Sequence, residues 1–427
     1  MESSSRAGLN NTMTEDADDI LRRADWLNAR GLQALFSAIE RNGDEARVVG
    51  GAIRNTLLGH SIPDVDIATT ATPQDVAARA SSSGLKSIAT GIDHGTITVV
   101  SHGFAYEVTT LREDVETFGR QAKVIFGKDW VKDAERRDFT MNALYADRNG
   151  QLHDPLGGLQ DCLDRRVRFI GDPDTRLRED YLRILRFFRI YAAYGQGEMD
   201  VDGLGACLRQ RDGLRQLSAE RIGHEMRRLM QAPLAATALR MMNDCGLWEI
   251  ATGGIARVED YAALRDLDPL VSETRDPELG LTVLAGFVRE DIERIADRLR
   301  LSNAERKRMQ IAWSAIKFLR QLDELPEAEA MLYEFGRQGA IDGHLARWAT
   351  LSAQDHNERV EENESYLDQL RSQSVPVFPL KGADLIAAGH KPGPGLGAKL
   401  RQLEKTWCET GYKLENEALI AGLADIS

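Results

Sequence analysis

The sequence predicts an α+β protein, in which an N-terminal domain with a mixed sheet of about five strands precedes an all-helical remainder. The first observation is that segments up to about residue 150 mix the two-residue period of strands with the longer period of helices. The second is that nearly every window from 175 to 350 has helical periodicity, whereas strand-like alternation is scarce there.

The first elements of the N-terminal domain lie on either side of a glycine pair. Residues 18–41 have the spacing of one or two amphipathic helices. Arg47–Val49 is a short, largely apolar segment that predicts a strand ending at Gly50-Gly51. A helix is then expected to open at Asn55–Leu58.

The later elements of this domain predict further strands. Asp64–Thr69 alternates as a strand does, and Thr72-Pro73 is a typical helix start with a capping hydroxyl and a proline in the first turn. Residues 95–112 predict two alternating strands, joined by the turn Ser101-His102-Gly103. In the helical remainder, the polar stretch 373–382 predicts an interruption between helices.

The composition is that of a globular chain with an acidic balance. The 427 residues are 42% hydrophobic and carry a net charge of −13, so a nucleic-acid site would need locally concentrated basic residues, for which 205–228, 295–309 and 391–405 are candidates. The sequence contains no apolar run of about 18 residues, so no membrane-spanning helix is predicted. The acidic N-terminus lacks a secretion-signal pattern, and four cysteines without CxxC spacing favour the reducing cytoplasm.

Two carboxylates, Asp64 and Asp66, are separated by one residue in a predicted strand, so both should point to the same face. Such neighbours repel each other unless a cation lies between them, and Mg²⁺ suits oxygen ligands of this kind. If the strand that contains Glu107 pairs nearby, three carboxylates converge, as a two-metal phosphoryl-transfer site requires. Taken alone, however, the pair is more often a solvated strand edge.

The glycine turn supplies the context for these carboxylates. Gly50-Gly51 lies between a predicted strand and a predicted helix, where backbone N–H groups can approach phosphate oxygens. Arg54 follows one helical turn later, where its guanidinium can clamp phosphates. A glycine pair alone is more often just a tight turn. Followed by the arginine and the paired aspartates, it predicts a site for nucleotide phosphates.

The motifs resemble those of one enzyme family along nearly the whole chain. GGAIRNTLLG followed by DVDIATTATP is similar to the signature of the polymerase-β-type nucleotidyltransferases, in the branch of class II tRNA nucleotidyltransferases (CCA-adding enzymes) and bacterial poly(A) polymerases. Four later motifs of that branch, known by their RRDFTxNA, neck, ERIxxE and tail segments, resemble DAERRDFTMNALYAD (133–147), EDYLRILRFFR (179–189), LSAERIGHEMRRLM (217–230) and GADLIAAGHKPGPGLGAKL (382–400).

The resemblance implies a polymerase-β-like head with a two-metal site. Asp64 and Asp66 match the acids that hold two magnesium ions in the family, and Glu107 matches the third acid of the site. Gly51 and Arg54 match contacts to the triphosphate, and Gly50 belongs to the same turn.

The RRDFTxNA motif adds two implied nucleotide contacts. Arg137 matches a residue that contacts the nucleotide, and Asp138 matches one that accepts a hydrogen bond from the ribose, which favours NTP over dNTP. Without the motif around them, these adjacent charges would be interpreted as a surface ion-pair cluster.

The neck motif is expected to read the base from one helix. Asp180, Arg183, Arg186 and Arg189 recur every three residues and share a broad helical face, which could also be only an ion-paired surface. By resemblance, Asp180 accepts from the exocyclic amine of C or A, and Arg183 donates to ring or carbonyl acceptors. Arg186 and Arg189 match further nucleotide contacts, and Glu179 is expected to brace the motif.

The resemblance divides the chain into a head (1–150), a helical neck (151–232), a helical body (233–372) and a tail that binds tRNA (373–427). It implies the addition of C, C and A from CTP and ATP to the 3′ end of tRNA, with Mg²⁺ as cofactor and pyrophosphate as product. An A-adding enzyme or a poly(A) polymerase is the nearest alternative, although the acidic and apolar residues 415–427 favour tRNA.

A non-catalytic RNA- or nucleotide-binding relative is the alternative of another class. The intact acids Asp64, Asp66 and Glu107 disfavour it. One residue departs from the family pattern: Asn55 stands where GGxVRD has an aspartate. That acid is expected to hold the arginine or the adjoining loop, and asparagine keeps the acceptor while losing the charge.

Overall fold

The computed structural model describes residues 13–92, 95–118, 121–351 and 359–422. The chain forms two compact units, Met1–Ala251 and Thr252–Ser427. The first contains a mixed sheet and helices, and the described residues of the second contain helices without strands, so the predicted α+β class is confirmed.

The first unit is built on a seven-stranded sheet, whose strands lie in the order β3 (Lys86–Gly91), β4 (Thr96–Ser101), β5 (Phe104–Thr110), β2 (Asp66–Thr69), β1 (Ala46–Val49), β8 (Tyr145–Ala146) and β9 (Leu152–His153). Strand β2 pairs antiparallel with β1 and parallel with β5, so both of these strands lie beside Asp66, the first residue of β2. The sheet exceeds the expected five strands because two strands of two residues each, β8 and β9, extend one edge. The strands are β1 (Ala46–Val49), β2 (Asp66–Thr69), β3 (Lys86–Gly91), β4 (Thr96–Ser101), β5 (Phe104–Thr110), β6 (Arg112–Phe118), β7 (Gln121–Phe126), β8 (Tyr145–Ala146) and β9 (Leu152–His153), of which β6 and β7 form a separate hairpin.

Helices cover the sheet and continue beyond it. The predicted start at Thr72-Pro73 is confirmed, because the Thr72 hydroxyl accepts a hydrogen bond from Asp75 N at 3.2 Å. The helices of this unit are α1 (13–22), α2 (Asp25–Asn28), α3 (Arg30–Ile39), α4 (Gly51–Leu58), α5 (Pro73–Ser82), α6 (Trp130–Glu135), α7 (Gly158–Leu163), α8 (Pro173–Glu179), α9 (Leu182–Tyr194), α10 (Val201–Arg209), α11 (Ala219–Met230), α12 (Ala235–Asp244) and α13 (Leu247–Thr252), the last reaching the division.

The predicted neck helix is interrupted, which corrects the expectation that Asp180 shares a helical face with the arginines after it. Helix α8 ends at Glu179, Asp180 is extended (φ −155°, ψ 105°), and α9 begins at Leu182. At the break, the Asp180 carboxylate accepts from Leu182 N at 3.1 Å, a local side-chain-to-backbone hydrogen bond that competes with continuation of α8.

The second unit packs its helices around an apolar core that includes Leu345 and Trp348 of the 21-residue helix α18 (Ala328–Trp348). The expected interruption at 373–382 is found as non-helical chain over 373–381, between α19 (Val360–Ser372) and α20 (Gly382–Ala387). None of the helices in the described ranges is long and apolar enough to cross a membrane. The helices are α14 (Val258–Asp266), α15 (Pro277–Ala285), α16 (Arg289–Arg298), α17 (Asn303–Leu319), α18 (Ala328–Trp348), α19 (Val360–Ser372), α20 (Gly382–Ala387), α21 (Pro394–Glu409) and α22 (Asn416–Gly422).

A buried histidine in this core makes the stability of the chain depend on pH. His344 of α18 is fully buried, its ring lies 4.9 Å from that of Tyr366, and its Nε2 is 3.1 Å from the Asn363 carbonyl oxygen. Burial lowers the pKa of His344 from 6.5 to about 4, because the imidazolium would lose its hydration there.

We therefore expect the free energy of unfolding to fall as the pH drops from 6.5 towards 4, by up to about 1.4 kcal/mol per pH unit from this residue. Above pH 6.5, His344 is neutral in both the folded and the unfolded chain. Between pH 6.5 and about 4, the unfolded chain binds a proton that the folded chain does not, and this favours unfolding. Denaturant unfolding of His344→Gln should show a weaker pH dependence than the wild type. His224→Gln, at an exposed position, should keep the wild-type slope; equal slopes in all three proteins would contradict the prediction.

Candidate active site

A polar cleft of about 480 Å³ opens in the first unit beside the glycine turn and α9. Most of the residues predicted from the sequence line it together: Gly50, Gly51, Arg54, Asp66, Arg137, Asp138, Asp180, Arg183, Arg186 and Arg189. Asp64, Glu107 and Glu179 of the predicted set are not in its lining. The sequence therefore predicted most of one cleft from segments more than a hundred residues apart.

The predicted carboxylates lie at the N-terminal end of β2, whose first residue is Asp66. Asp66 is paired with Glu107 of the parallel strand β5 and with Val49 of the antiparallel strand β1. Asp64 precedes the strand, which corrects the prediction that the strand begins there. The reason is that Val49 is the last residue of β1, so the chain before Asp66 has no β1 partner to continue the ladder.

The charge on Asp66 is destabilised by its surroundings. Reduced hydration at the base of the cleft raises the pKa of Asp66 to about 6, although part of the side chain reaches solvent. The negative charges of Asp64 and Glu107 contribute to this rise in the Asp66 pKa, and Arg137 opposes it. Three carboxylates are thus close enough to repel one another.

This donor set fits a divalent cation. Within the described ranges, no three His, Cys, Asp or Glu side chains are already arranged as a ligand cluster. The fit is chemical: a dication beside Asp64, Asp66 and Glu107 would remove the repulsion that raises the Asp66 pKa, and all its ligands would be oxygens.

The glycine turn allows the backbone to approach the cleft. Gly50 has φ 74°, a conformation that favours glycine, and its N–H donates to the Leu144 carbonyl at 3.0 Å. A Cβ atom at this position would lie 3.3 Å from the carbonyl oxygen of Asn142. Helix α4 starts at Gly51 without a side-chain cap, so N–H groups of its first turn remain available to an anion.

Arg54 is held in the cleft by neutral groups. Its Nε and Nη2 donate to Asn55 Oδ1 at 3.2 and 2.9 Å, and its Nη1 donates to Asn142 Oδ1. The Tyr194 ring stacks on the guanidinium, 3.7 Å from Cζ to the ring centroid. Three of its roughly five N–H donors are used in this way, so about two remain for a ligand.

Asn55 explains how this chain replaces the family's aspartate. Its amide oxygen holds Arg54, while its Nδ2 donates to the Ser61 carbonyl at 2.6 Å in the loop that leads to the carboxylates. Asparagine therefore holds both the arginine and the adjoining loop, which are the two roles expected of the acid. Asparagine adds no negative charge beside Arg54, whose guanidinium donates to the amide oxygens of Asn55 and Asn142, while the carboxylate that acts on it is that of Asp138.

A buried acid that the sequence interpretation missed positions the cations of the RRDFTxNA motif. Asp133 is fully buried and accepts from Arg136 Nε at 2.8 Å, from Arg137 Nη2 at 3.0 Å and from the Tyr145 hydroxyl at 2.8 Å. Burial opposes ionisation, but the two arginines and Tyr145 lower the pKa of Asp133 overall. Its i+3 and i+4 spacing to the arginines was the available signal.

Asp138 is the centre of a hydrogen-bonded network. Its Oδ1 accepts from Phe139 N at 2.9 Å and from Asn142 Nδ2 at 3.0 Å, and its Oδ2 accepts twice from Arg186, with Nε at 2.8 Å. Burial alone would raise the pKa of Asp138, but Arg186 and Asn142 lower it to about 2. All of its approximately four lone-pair positions are used within the protein.

The neck residues are held by partners on other elements. Asp180 Oδ2 accepts from Arg221 of α11 at 2.6 Å. Arg186 and Arg189 both approach Glu225 of the same helix, at 3.7 Å for the first. Arg221 and Glu225 were not predicted as site residues, although both lie in the segment that resembles ERIxxE, four residues apart on one helical face.

Glu179 braces the motif from outside the cleft. One of its carboxylate oxygens accepts from both Arg176 and Arg183. Arg183 also donates to the Arg176 carbonyl at 2.7 Å, and Arg176 donates to the Arg136 carbonyl at 2.6 Å. Glu179 therefore links the neck to the RRDFTxNA segment and sets the direction of Arg183.

Known proteins match the chain along most of its length. The family model described as the poly(A) polymerase head domain matches residues 46–168, and a model described as a probable RNA and SrmB-binding site of polymerase A matches residues 202–252. The chain is 34% identical over 403 residues to CCA tRNA nucleotidyltransferase 1, mitochondrial, of Danio rerio, covering 92% of this chain and 90% of that one.

The chain belongs to the class II CCA-adding enzyme and poly(A) polymerase family. It is also 32% identical over 409 residues to the CCA-adding enzyme of Geobacillus kaustophilus, covering 92% and 95% of the two chains. The structure of the Bacillus stearothermophilus CCA-adding enzyme in complex with CTP matches with a TM-score of 0.72 and 27% identity, over 93% of this chain and 96% of that one. The chain is accordingly a nucleotidyltransferase, and enzymes of this family use a divalent metal.

The geometry at Asn55 predicts that the family's own residue weakens nucleotide binding here. In Asn55→Asp, a carboxylate oxygen would face the Ser61 carbonyl oxygen in place of the donor now 2.6 Å away, and its charge would offset that of Arg54. We expect the KM for CTP to rise about tenfold, equivalent to about 1.4 kcal/mol, with a smaller change in kcat.

Steady-state kinetics of nucleotide addition, together with CTP binding by calorimetry, would measure this effect. Asn149→Asp makes the same charge change at an exposed position outside the cleft and should leave both quantities unchanged. A KM for Asn55→Asp at or below the wild-type value would show that the amide donor is dispensable.

Proposed function

We propose that the chain adds C, C and A from CTP and ATP to the 3′ end of tRNA, without a nucleic-acid template and with release of pyrophosphate. The observation that carries this proposal is the composition of the cleft. One cavity contains a glycine turn and the amide-held Arg54 for phosphates, Asp66 of a carboxylate cluster, and Asp180 with Arg183 for the edge of a base. Its relatives named CCA-adding enzymes support the same reaction.

In the proposed reaction, the 3′ oxygen of the acceptor attacks the α-phosphorus of the NTP, and the bond to the β-phosphate oxygen breaks. Arg54 and the N–H groups at the start of α4 would bind the triphosphate and orient the leaving pyrophosphate. Asp64 and Asp66 would hold Mg²⁺, with Glu107 completing the acidic cluster. Magnesium bound there would promote ionisation of the 3′-hydroxyl and offset charge on the phosphates.

Base selection would depend on Asp180 and Arg183. An aspartate can accept from the exocyclic amine that C and A share, and an arginine can donate to the neighbouring acceptor. Arg137, Arg186 and Arg189 would contact the nucleotide along the same wall of the cleft. A ribose contact to Asp138 would require Arg186 or Asn142 to release one of its hydrogen bonds to that carboxylate.

The division into head (1–150), neck (151–232), body (233–372) and tail (373–427) remains part of this proposal, with tRNA held by the helical segments. The four cysteines are unpaired, which is consistent with a reducing compartment such as the cytoplasm. Fractionation of cells that express the native protein would test that location.

One assay tests the proposed function. A tRNA that ends before CCA is offered with labelled CTP and ATP to the wild type, Asp64→Ala and the control Asp164→Ala, whose side chain is exposed outside the cleft. Addition of C, C and A followed by a stop is expected for the wild type and the control, and no addition for Asp64→Ala. Addition of A alone to a tRNA ending in CC indicates an A-adding enzyme, and long A tails indicate a poly(A) polymerase. Absence of incorporation by the wild type contradicts all three activities.

Base reading by Asp180 predicts a specific loss of selectivity. UTP presents a carbonyl oxygen where CTP presents an amine, so the Asp180 carboxylate should repel UTP and accept from CTP. Asp180→Ala should reduce the ratio of kcat/KM for CTP to that for UTP by about 10- to 100-fold, equivalent to about 1–3 kcal/mol. Asp174→Ala removes an acid of α8 that pairs with Arg209 outside the cleft. It should keep the wild-type ratio, and an unchanged ratio in Asp180→Ala would remove this residue from base reading.

A further inference from the structure

A tyrosine at the end of α9 covers Arg54 without lining the active-site cleft. Tyr194 is the last residue of α9, and its ring lies on one face of the Arg54 guanidinium, with Cζ 3.7 Å from the ring centroid. Tyr194 was not predicted as a site residue, and it does not line the cleft. Any effect of this ring on a bound nucleotide would therefore be exerted through Arg54.

The hydrogen bonds of Arg54 leave one N–H group free on each terminal nitrogen. Its Nε and Nη2 donate to Asn55 Oδ1, and its Nη1 donates to Asn142 Oδ1. A guanidinium has one N–H on Nε and two on each terminal nitrogen, so Nη1 and Nη2 each keep one donor. Because these N–H groups point within the plane of the guanidinium, the tilt of that plane decides whether they reach a phosphate.

The stacked ring of Tyr194 restricts this tilt. Rotation of the guanidinium out of its plane would bring its nitrogens against the ring that covers its face. The face of an aromatic ring attracts a cation and adds no charge to it. Burial lowers the pKa of Arg54, and Tyr194, Cys162 and Asp138 oppose this fall. The stack thus supports the charged form of a buried arginine while fixing its orientation.

Tyr194 is itself held by the residue that follows α4. The His60 ring meets the Tyr194 ring edge-on, with centroids 5.6 Å apart and planes at 84°. The backbone N–H of His60 donates to the Asn55 carbonyl at 2.8 Å, so the histidine is tied to the residue that holds Arg54. His60 Nε2 lies 3.4 Å from Arg165 Nη1, which can only donate, so His60 accepts there as a neutral ring. Burial, Arg165 and Arg54 lower the pKa of His60, which favours this neutral form.

We propose that Tyr194 is a positioning residue for the triphosphate: its ring fixes the plane of Arg54, so that the free N–H groups point to the phosphates of the leaving pyrophosphate. The inference rests on the proposed function for the role of Arg54, and its geometry comes from the stack itself. Tyr194 ends the helix that begins next to Asp180 and carries Arg183. The stack therefore joins the phosphate side of the cleft to the base side, in addition to the hydrogen bonds of Asp138.

The test is binding of CTP and of CMP to the full chain, measured by calorimetry with Mg²⁺ and without tRNA, so that no addition occurs. CMP lacks the phosphates that Arg54 is proposed to hold, so the ratio of Kd for CMP to Kd for CTP reports on that contact. Tyr194→Leu removes the ring, and Tyr194→Phe keeps the ring without its hydroxyl. Phe287→Leu is the matched control, since it removes a ring that covers Arg257 at 3.9 Å in the second unit, outside the cleft.

We expect Tyr194→Leu to bind CTP about tenfold more weakly, equivalent to about 1.4 kcal/mol, and to bind CMP as the wild type does. The ratio of the two Kd values should therefore fall about tenfold in this variant. Tyr194→Phe and Phe287→Leu should keep the wild-type ratio. In nucleotide addition, Tyr194→Leu should raise the KM for CTP and leave the KM for tRNA unchanged.

Three results for the variants would overturn the proposal. An unchanged ratio in Tyr194→Leu would remove this residue from phosphate positioning. Equal weakening of CTP and CMP would give the ring a structural role in the cleft as a whole. A ratio in Tyr194→Phe as low as in Tyr194→Leu would assign the effect to the hydroxyl.

The wild type separates this inference from the proposed function. A wild type that binds CTP no more tightly than CMP would contradict the role of Arg54 and, with it, the role of Tyr194. A wild type that prefers CTP, loses that preference in Tyr194→Leu and adds no nucleotide to tRNA would contradict the proposed function and support the positioning role of the ring.

Discussion

The active-site cleft depends on Asp138, whose carboxylate joins the sheet side to helix α9 through hydrogen bonds to Asn142 and Arg186. From Asn142 the network continues to Arg54 at the glycine turn, and from Arg186 it approaches Glu225 of α11. Each wall of the cleft is thereby positioned against the other by buried, charge-assisted hydrogen bonds. Such a network is costly to break at any one member, because the partner left behind is buried and unsatisfied.

Arginines in this cleft serve two physical roles that differ in their partners. Arg137, Arg186 and Arg189 are paired with carboxylates, so they contribute position and hydrogen-bond donors more than net charge. Arg54 is held by amides and retains its charge. A cation of the second kind attracts phosphates most strongly, which is consistent with its place beside the turn where backbone N–H groups are also available.

Local patterns predicted the fold class and the glycine turn with Arg54 and the paired aspartates, because turns, strand alternation and helical periodicity are short-range features. The rest of the predicted cleft lining depended on the resemblance of later motifs to one family. The interruption at Asp180 could not be predicted in this way, since its three-residue spacing to the arginines is equally compatible with a continuous helix. Asp133 and Glu225 were missed as site residues for another reason. Glu225 pairs with arginines of another helix, which its own sequence neighbourhood does not indicate, and the i+3 and i+4 spacing of Asp133 to the arginines is equally typical of an exposed ion-paired helix. Asn55 was noticed only because the family pattern has an acid at its position.

The break between α8 and α9 has a mechanical consequence. Side chains on one helix keep a fixed spacing. Two base-contacting side chains on a continuous helix would therefore have one fixed gap between them. Asp180 stands on extended backbone, so the torsions of one or two residues set its position relative to Arg183. Rotation about those bonds alters the gap without unwinding either helix. In the proposed base reading, the gap between the Asp180 and Arg183 side chains would then differ between a pyrimidine and a purine, provided that Asp180 releases its hydrogen bond from Arg221.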